Sequence, residues 1–221
     1  MYCISCRNKT FFKPNLPGGK TSSKSEDFLA GINLGKLFRS QGNLASSSDL
    51  FNQALQVAVE LENRNFEAIC YYEMGKLYRA NGEWEISINY LEKSIGLRKE
   101  LCDILGEAIC LHSLGTTWLR KGVFSNAKKF FQESIVLKEK ISDWYGLAKS
   151  LYSLGHIERI ENNMQPALEI YKQALELYKL TGNQQRVAKV LCRLGMIYAG
   201  LGQWELASQH LSQSREVRVR T

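Results

Sequence analysis

Residues 107–137 read EAICLHSLGTTWLRKGVFSNAKKFFQESIVL, and this stretch decides the fold. Ile109, Leu111, Leu114, Trp118 and Leu119 fall at helical rather than alternating spacing. Beyond Gly122 the pattern resumes with Ala127, Phe130, Phe131, Ile135 and Leu137. Two helices joined by a turn at Gly122 are therefore expected, because a residue without a Cβ ends a helix in the left-handed conformation at no steric cost.

The stretch is one unit of a repeat. Its Leu114-Gly115 pair recurs as Leu34-Gly35, Met74-Gly75, Leu154-Gly155 and Leu194-Gly195, spaced 40 residues apart each time. Seven residues after each Gly stand Gly42, Gly82, Gly122, Asn162 and Gly202, and Asn is the side chain that best tolerates the left-handed region. Twelve after are the small Ser47, Ser87, Ala127, Ala167 and Ala207; sixteen after are the large Phe51, Leu91, Phe131, Tyr171 and Leu211. Nineteen after come Ala54, Ser94, Ser134, Ala174 and Ser214, small again. Between units, Asn63, Asp103, Asp143 and Asn183 recur as turn or cap residues ahead of the next helix. A Gly inside a helix costs roughly 1 kcal/mol against Ala, so five of them require a packing reason. The paired helices are expected to approach so closely that no Cβ fits, with the large residue sixteen later as the facing knob.

Composition fits such an array. The 221 residues are 44% hydrophobic and 23% charged, enough to bury a core, and no apolar run reaches the length of a membrane span. The net charge of +7 lies at the ends: residues 1–25 hold five bases and no acid, and 215–221 add two more positive charges. Residues 26–214 have 21 bases and 21 acids, which argues against a nucleic-acid or membrane-surface protein. The expected division is a basic, flexible N-terminal tail (1–25), an array of about five 40-residue repeats (26–214) and a basic C-terminal end (215–221). The tail admits three readings: an arm for an acidic partner or nucleic acid, a targeting peptide, or a solvated leader.

The column pattern resembles the tetratricopeptide repeat (TPR), in which a Leu-Gly pair is followed by an aromatic, a Gly, a small residue, an aromatic and an Ala. The first aromatic here is Phe38, Tyr78, Trp118 and Tyr198, while Glu158 interrupts that column. The unit is 40 rather than 34 residues long and lacks the family's closing Pro, like the arrays of many bacterial regulatory proteins and some animal scaffold proteins. The resemblance covers about 28–214 and implies an all-α, right-handed superhelical solenoid of five helix-turn-helix repeats, whose first helices line a concave groove.

Positions one and four or five after each Gly, and three or six before it, should face that groove. They give Lys36, Arg39, Tyr72, Lys76, Arg79, His112, Arg120, Lys149, Tyr152, His156, Arg159 and Lys189, with Cys192 beside them. A mostly basic and aromatic lining suits a protein or peptide partner of acidic character, held by charge-assisted hydrogen bonds. The expected function is a non-enzymatic interaction scaffold or adaptor. The alternatives are an accessory or assembly factor for a larger complex, or a piece of a longer peptide-sensing TPR regulator. TPR modules that clamp chaperone C-termini use Lys, Asn and Arg on first helices. Asn33, Lys36, Lys76 and Arg79 are of suitable type, but Glu73 stands where an Asn is wanted.

Other motifs point away from cofactors and catalysis. Pro14 to Thr21 ends in Gly-Gly-Lys-Thr but has Pro14 where a phosphate-binding loop needs Gly. Cys3 and Cys6 lack a second ligand pair, and Cys70, Cys102, Cys110 and Cys192 read as small hydrophobes in helices, consistent with a reducing, cytoplasmic compartment. His112, His156 and His210 form no metal-binding pair, and no nucleophile elbow is present, so neither an enzyme nor a cofactor is expected. No polar cap helix follows Ser214, so a homodimer through the C-terminal end is a further expectation.

Overall fold

The computed structural model describes residues 20–219, with side chains from Lys24 onward. The readings placed on residues 1–19, including Cys3 and Cys6, lie outside the described residues, as do Arg220 and Thr221. Among the described residues there are ten helices and no strand. They are α1 (Lys20–Ser40), α2 (Leu44–Glu60), α3 (Arg64–Ala80), α4 (Trp84–Glu100), α5 (Ile104–Lys121), α6 (Phe124–Lys140), α7 (Trp144–Ile160), α8 (Met164–Leu180), α9 (Gln184–Gly200) and α10 (Trp204–Val219). The chain divides into two compact units, one ending at Cys110 and the other beginning at Leu111.

The turns repeat at half the sequence period. The left-handed residue of each is Gly42, Glu62, Gly82, Cys102, Gly122, Ser142, Asn162, Gly182 or Gly202, with φ between 51° and 85° and a spacing of 20. Every one closes the same pair of hydrogen bonds: Glu62 N–H donates to Val59 C=O at 2.9 Å and Asn63 N–H to Ala58 C=O at 3.0 Å, and likewise along the chain. This is the Schellman arrangement, which satisfies the last carbonyls of a helix. On the far side of the turns, Asn63, Asp103, Asp143 and Asn183 accept from the first free N–H groups of the next helix, as expected, and so does Asn43, which the sequence columns did not mark.

Close approach explains the mid-helix glycines. A Cβ on Gly35 would lie 2.5 Å from Phe51, one on Gly75 2.6 Å from Leu91, one on Gly115 2.8 Å from Phe131, and one on Gly195 2.7 Å from Leu211. Each neighbour is the large residue sixteen later, as expected. Gly155 is the loosest, with Tyr171 and Ile170 at 3.3 Å. The small columns then close the seam: Ser47 and Ser87 donate to the carbonyls of Gly35 and Gly75 at 2.8 and 2.7 Å. Ser94 and Ser214, nineteen after their glycines, donate to Ala68 and Ala188 carbonyls in the preceding first helix at 2.8 and 2.7 Å. Buried hydroxyls are thereby matched to backbone acceptors, which avoids the cost of an unsatisfied polar group. In the first unit the core gathers around Phe28, Phe51 and Met74; in the second, around Tyr171, Tyr178 and Leu194.

Candidate functional site

In the first unit, Lys36 and Arg39 occupy the C-terminal half of α1, and Tyr72, Lys76 and Arg79 the facing part of α3. Between the two sets stands Glu73, only 3% exposed. Its carboxylate lies 2.6 Å from Arg39 Nη1, 3.2 Å from Lys76 Nζ and 3.7 Å from Lys36 Nζ, and Arg39 also donates to the Glu73 carbonyl at 3.3 Å. Burial alone would raise the Glu73 pKa, but Lys76, Arg39 and Lys36 bring it below its ordinary value. Lys76 Nζ also sits 4.8 Å from the Tyr72 ring centre, and Arg39 lies 5.8 Å from that of Phe51. Three of the expected groove cations are therefore already engaged by one buried acid. Arg79 is half-buried in the last turn of α3.

In the second unit, Tyr152, His156 and Arg159 lie on α7, half-buried, while Lys149 and Lys189 are exposed on α7 and α9 and Arg120 near the end of α5. Arg193 joins them from α9, its Nε donating to Tyr152 Oη at 3.3 Å. Burial, then Arg159 and Arg193, hold the His156 pKa below the ordinary imidazole value. Tyr171 packs under Tyr152 with ring centres 5.5 Å apart, and its pKa is pushed up to about 12, first by burial. Arg159 Nε, His156 Nδ1 and Tyr171 Oη are buried without a hydrogen bond of good geometry, though the Arg159 guanidinium is near enough to oppose the Tyr171 shift.

His112 does not face an open groove. It is 7% exposed, its Nδ1 is 3.0 Å from Ser150 Oγ, and its ring packs 5.2 Å from that of Phe131. Its contacts with Ser150 and with Phe131, the knob of its own repeat, hold the ring inward, whereas Tyr72 and Tyr152 in the same column stay half-buried.

Two residues escape the groove columns. Arg193 stands two before Gly195, the same place that Glu73 takes before Gly75. Lys138 is on a second helix and is 2% exposed. Its Nζ donates to Ser150 Oγ at 2.8 Å, and that oxygen also lies 3.2 Å from Ser134 Oγ. Burial, with Lys149 adding to it and Asp143 opposing, pushes the Lys138 pKa down to about 8. The signal for it is a column: Ala58, Arg98, Lys138 and Tyr178 follow their glycines by 23 residues, and Ala58, Lys138 and Tyr178 are buried while Arg98 is half-buried, so a base at this place turns inward.

The neutrality of the array also resolves into two parts. Residues 24–110 carry 9 bases against 13 acids, and residues 111–219 carry 15 against 9. Among the described residues, no group of His, Cys, Asp and Glu could hold a metal ion, and no helix is long and apolar enough to cross a membrane.

Comparison with known proteins agrees with this geometry. A tetratricopeptide-repeat family model matches residues 28–100, and a second of the same description matches 148–179. No curated protein matches the sequence. Among solved structures, BtubC (BKLC) from P. vanneervenii superposes with a TM-score of 0.77 at 15% identity, over 91% of this chain and 90% of that one. Aspartyl phosphate phosphatase F from Bacillus subtilis gives 0.82 at 15% identity over 90% of this chain. A Rap protein complexed with Competence and Sporulation Factor gives 0.74 at 14% identity over 87% of this chain. The chain spans 52% and 54% of the last two, about half of each. At such identities the likeness concerns the fold alone. With the repeat columns, the seam geometry and the two matched stretches in agreement, the chain is a member of the tetratricopeptide-repeat family.

Proposed function

We propose that this protein is a non-enzymatic interaction scaffold that holds an acidic segment of a partner protein against the first helices of its repeats. One observation carries the reading: of the twelve first-helix residues named from the sequence, all but His112 stay at least partly exposed, and all are Lys, Arg, His or Tyr. Within each unit these residues offer charge-assisted hydrogen bonds and flat apolar contact to an extended or helical segment. Titration with fluorescein-labelled penta-glutamate and penta-lysine peptides tests it. The acidic peptide should bind, more weakly as salt rises, and the basic one should not. Equal binding of both, or of neither, would refute the reading.

A second reading, a piece of a longer peptide-sensing regulator, draws on the Rap protein whose structure holds Competence and Sporulation Factor and of which this chain spans 54%. The penta-glutamate titration bears on it too, since a sensor should be saturated by a short free peptide.

A further inference from the structure

The two units place different chemistry at one structural position. In each, the residues one and four after a central Gly face the residue two before the next: Lys36 and Arg39 face Glu73, and His156 and Arg159 face Arg193. In the first unit the acid closes the set at 2.6 to 3.7 Å. In the second a third base stands in the acid's place. The surrounding carboxylates are turned elsewhere: Glu158 and Glu161 both hold Lys128, at 2.6 and 2.5 Å, and Glu158 also accepts from Asn163. Glu169 pairs with Lys172. Two guanidinium groups, an imidazole and two phenol hydroxyls thus converge without an acid. Arg159 Nε and His156 Nδ1 are buried and make no hydrogen bond. The unit around them carries 15 bases against 9 acids.

We infer that Arg159 and Arg193, with Tyr152 and His156, form the carboxylate-binding site for the partner's acidic segment, and that Glu73 fills the equivalent place in the first unit with the protein's own carboxylate. The inference rests on the scaffold reading and narrows it to the second unit. A carboxylate between the two guanidiniums accepts charge-assisted hydrogen bonds from both, including the one that Arg159 Nε lacks. It also relieves the repulsion of His156 by the two arginines, so binding draws a proton onto the imidazole. Affinity should rise as the pH falls from 7.5 toward the His156 range, then drop once the peptide's own carboxylates take up protons near about 4.3. The charged groups facing His156 are Arg159 on its own helix and Arg193 on α9, both cationic across that range.

The test uses the full chain and labelled penta-glutamate peptide at low salt. Arg193→Glu, which copies the first unit, should weaken binding at least about tenfold while leaving helicity unchanged. Lys179→Glu changes net charge equally on an exposed helix face and should weaken binding less than about threefold. Arg159→Met should weaken binding without a charge reversal, in case Arg193→Glu disturbs packing. If the wild type binds and Arg193→Glu binds as well, or Lys179→Glu loses as much, the assignment fails while the acidic-segment reading stands. If the wild type does not bind, both fail. Displacement by inorganic phosphate at concentrations where acetate has no effect would assign the site to phosphate and overturn the carboxylate.

Discussion

In the first unit, Glu73 takes Lys36, Arg39 and Lys76, and Asp103 takes Arg98 while its other oxygen caps α5. In the second, the matching places hold Arg193, which meets other bases, and Lys138, whose neighbour Asp143 caps α7 and leaves the ammonium to a Ser hydroxyl. The backbone around these positions is the same: the same glycine seam, the same turn, the same cap. Shape in this repeat is thus set by a few columns of Gly, small and large residues, and the charged columns beside them are free to diverge. At the place two before the central Gly, the first unit sets a carboxylate among its cations and the second sets a third base.

The contrast breaks most visibly at Glu73. Replacing it by Ala leaves Lys36, Arg39 and Lys76 facing one another in a half-buried site, and loss of one partner from a buried ion cluster costs about 3–5 kcal/mol. Because the Glu73 pKa lies below its ordinary value of 4.5 in the folded protein, its contribution is present above that pH and disappears as the pH falls through the folded value. Denaturant melts of wild type and Glu73→Ala should differ at pH 7 and converge in acid. A difference under about 1 kcal/mol at pH 7 would make the cluster an ordinary surface network.

Lys138→Met sharpens the contrast from the other side. The ammonium is charged at pH 7 in both folded and unfolded states, but its folded pKa is about 8 against an ordinary 10.5, so the buried charge destabilises the fold. The variant should be more stable by about 2–3 kcal/mol at pH 7. Between pH 8 and 10.5 the unfolded chain holds the proton more tightly, so wild-type stability rises with pH and the gap closes. A variant less stable than wild type, or a gap indifferent to pH, would mean that the Ser150 bond outweighs the buried charge.

The smallest effect lies in the seam. Gly75→Ala should cost about 1–3 kcal/mol, since its Cβ would meet Leu91 at 2.6 Å and the Ser87 carbonyl at 3.2 Å. Gly155→Ala meets nothing closer than 3.3 Å and regains the helix propensity that Gly forfeits, so it should change stability by less than about 1 kcal/mol. Equal losses on thermal melting would show that helix spacing, not the individual knob, decides the tolerance.

The seam and the main turns were legible because they force residue type: a Cβ does not fit at Gly35, and Gly42 needs a positive φ. The half-period of the turns was not, because Glu62, Cys102 and Ser142 adopt the left-handed conformation and no shared residue type marks the position. The candidate site was partly legible. Lys36, Arg39, Tyr152, His156 and Arg159 could be named from groove columns, but Arg193 occupies a column that holds Asn33, Glu73, Ser113 and Ser153 elsewhere, with no common chemistry to mark it. His112 shares its column with Tyr72 and Tyr152, which stay half-exposed, and with Ile32, which does not, so spacing alone left its direction open. The even charge of the array concealed an acidic first half and a basic second half, because a sum over the whole carries no position.

The Schellman turns have a consequence for how the chain acquires its structure. Each is closed by hydrogen bonds reaching back no more than five residues, and at five of the nine a capping Asn or Asp lies beside it in sequence. Helix ends can therefore form as soon as some twenty residues are available, before any partner helix exists. The bonds between helices are also short in sequence terms: within one repeat Ser94 reaches back 26 residues to Ala68, and between neighbouring repeats Arg193 reaches back 41 to Tyr152. A chain wired in this way suits folding during synthesis, each pair of helices docking on the one before it while the ribosome is still extending the next.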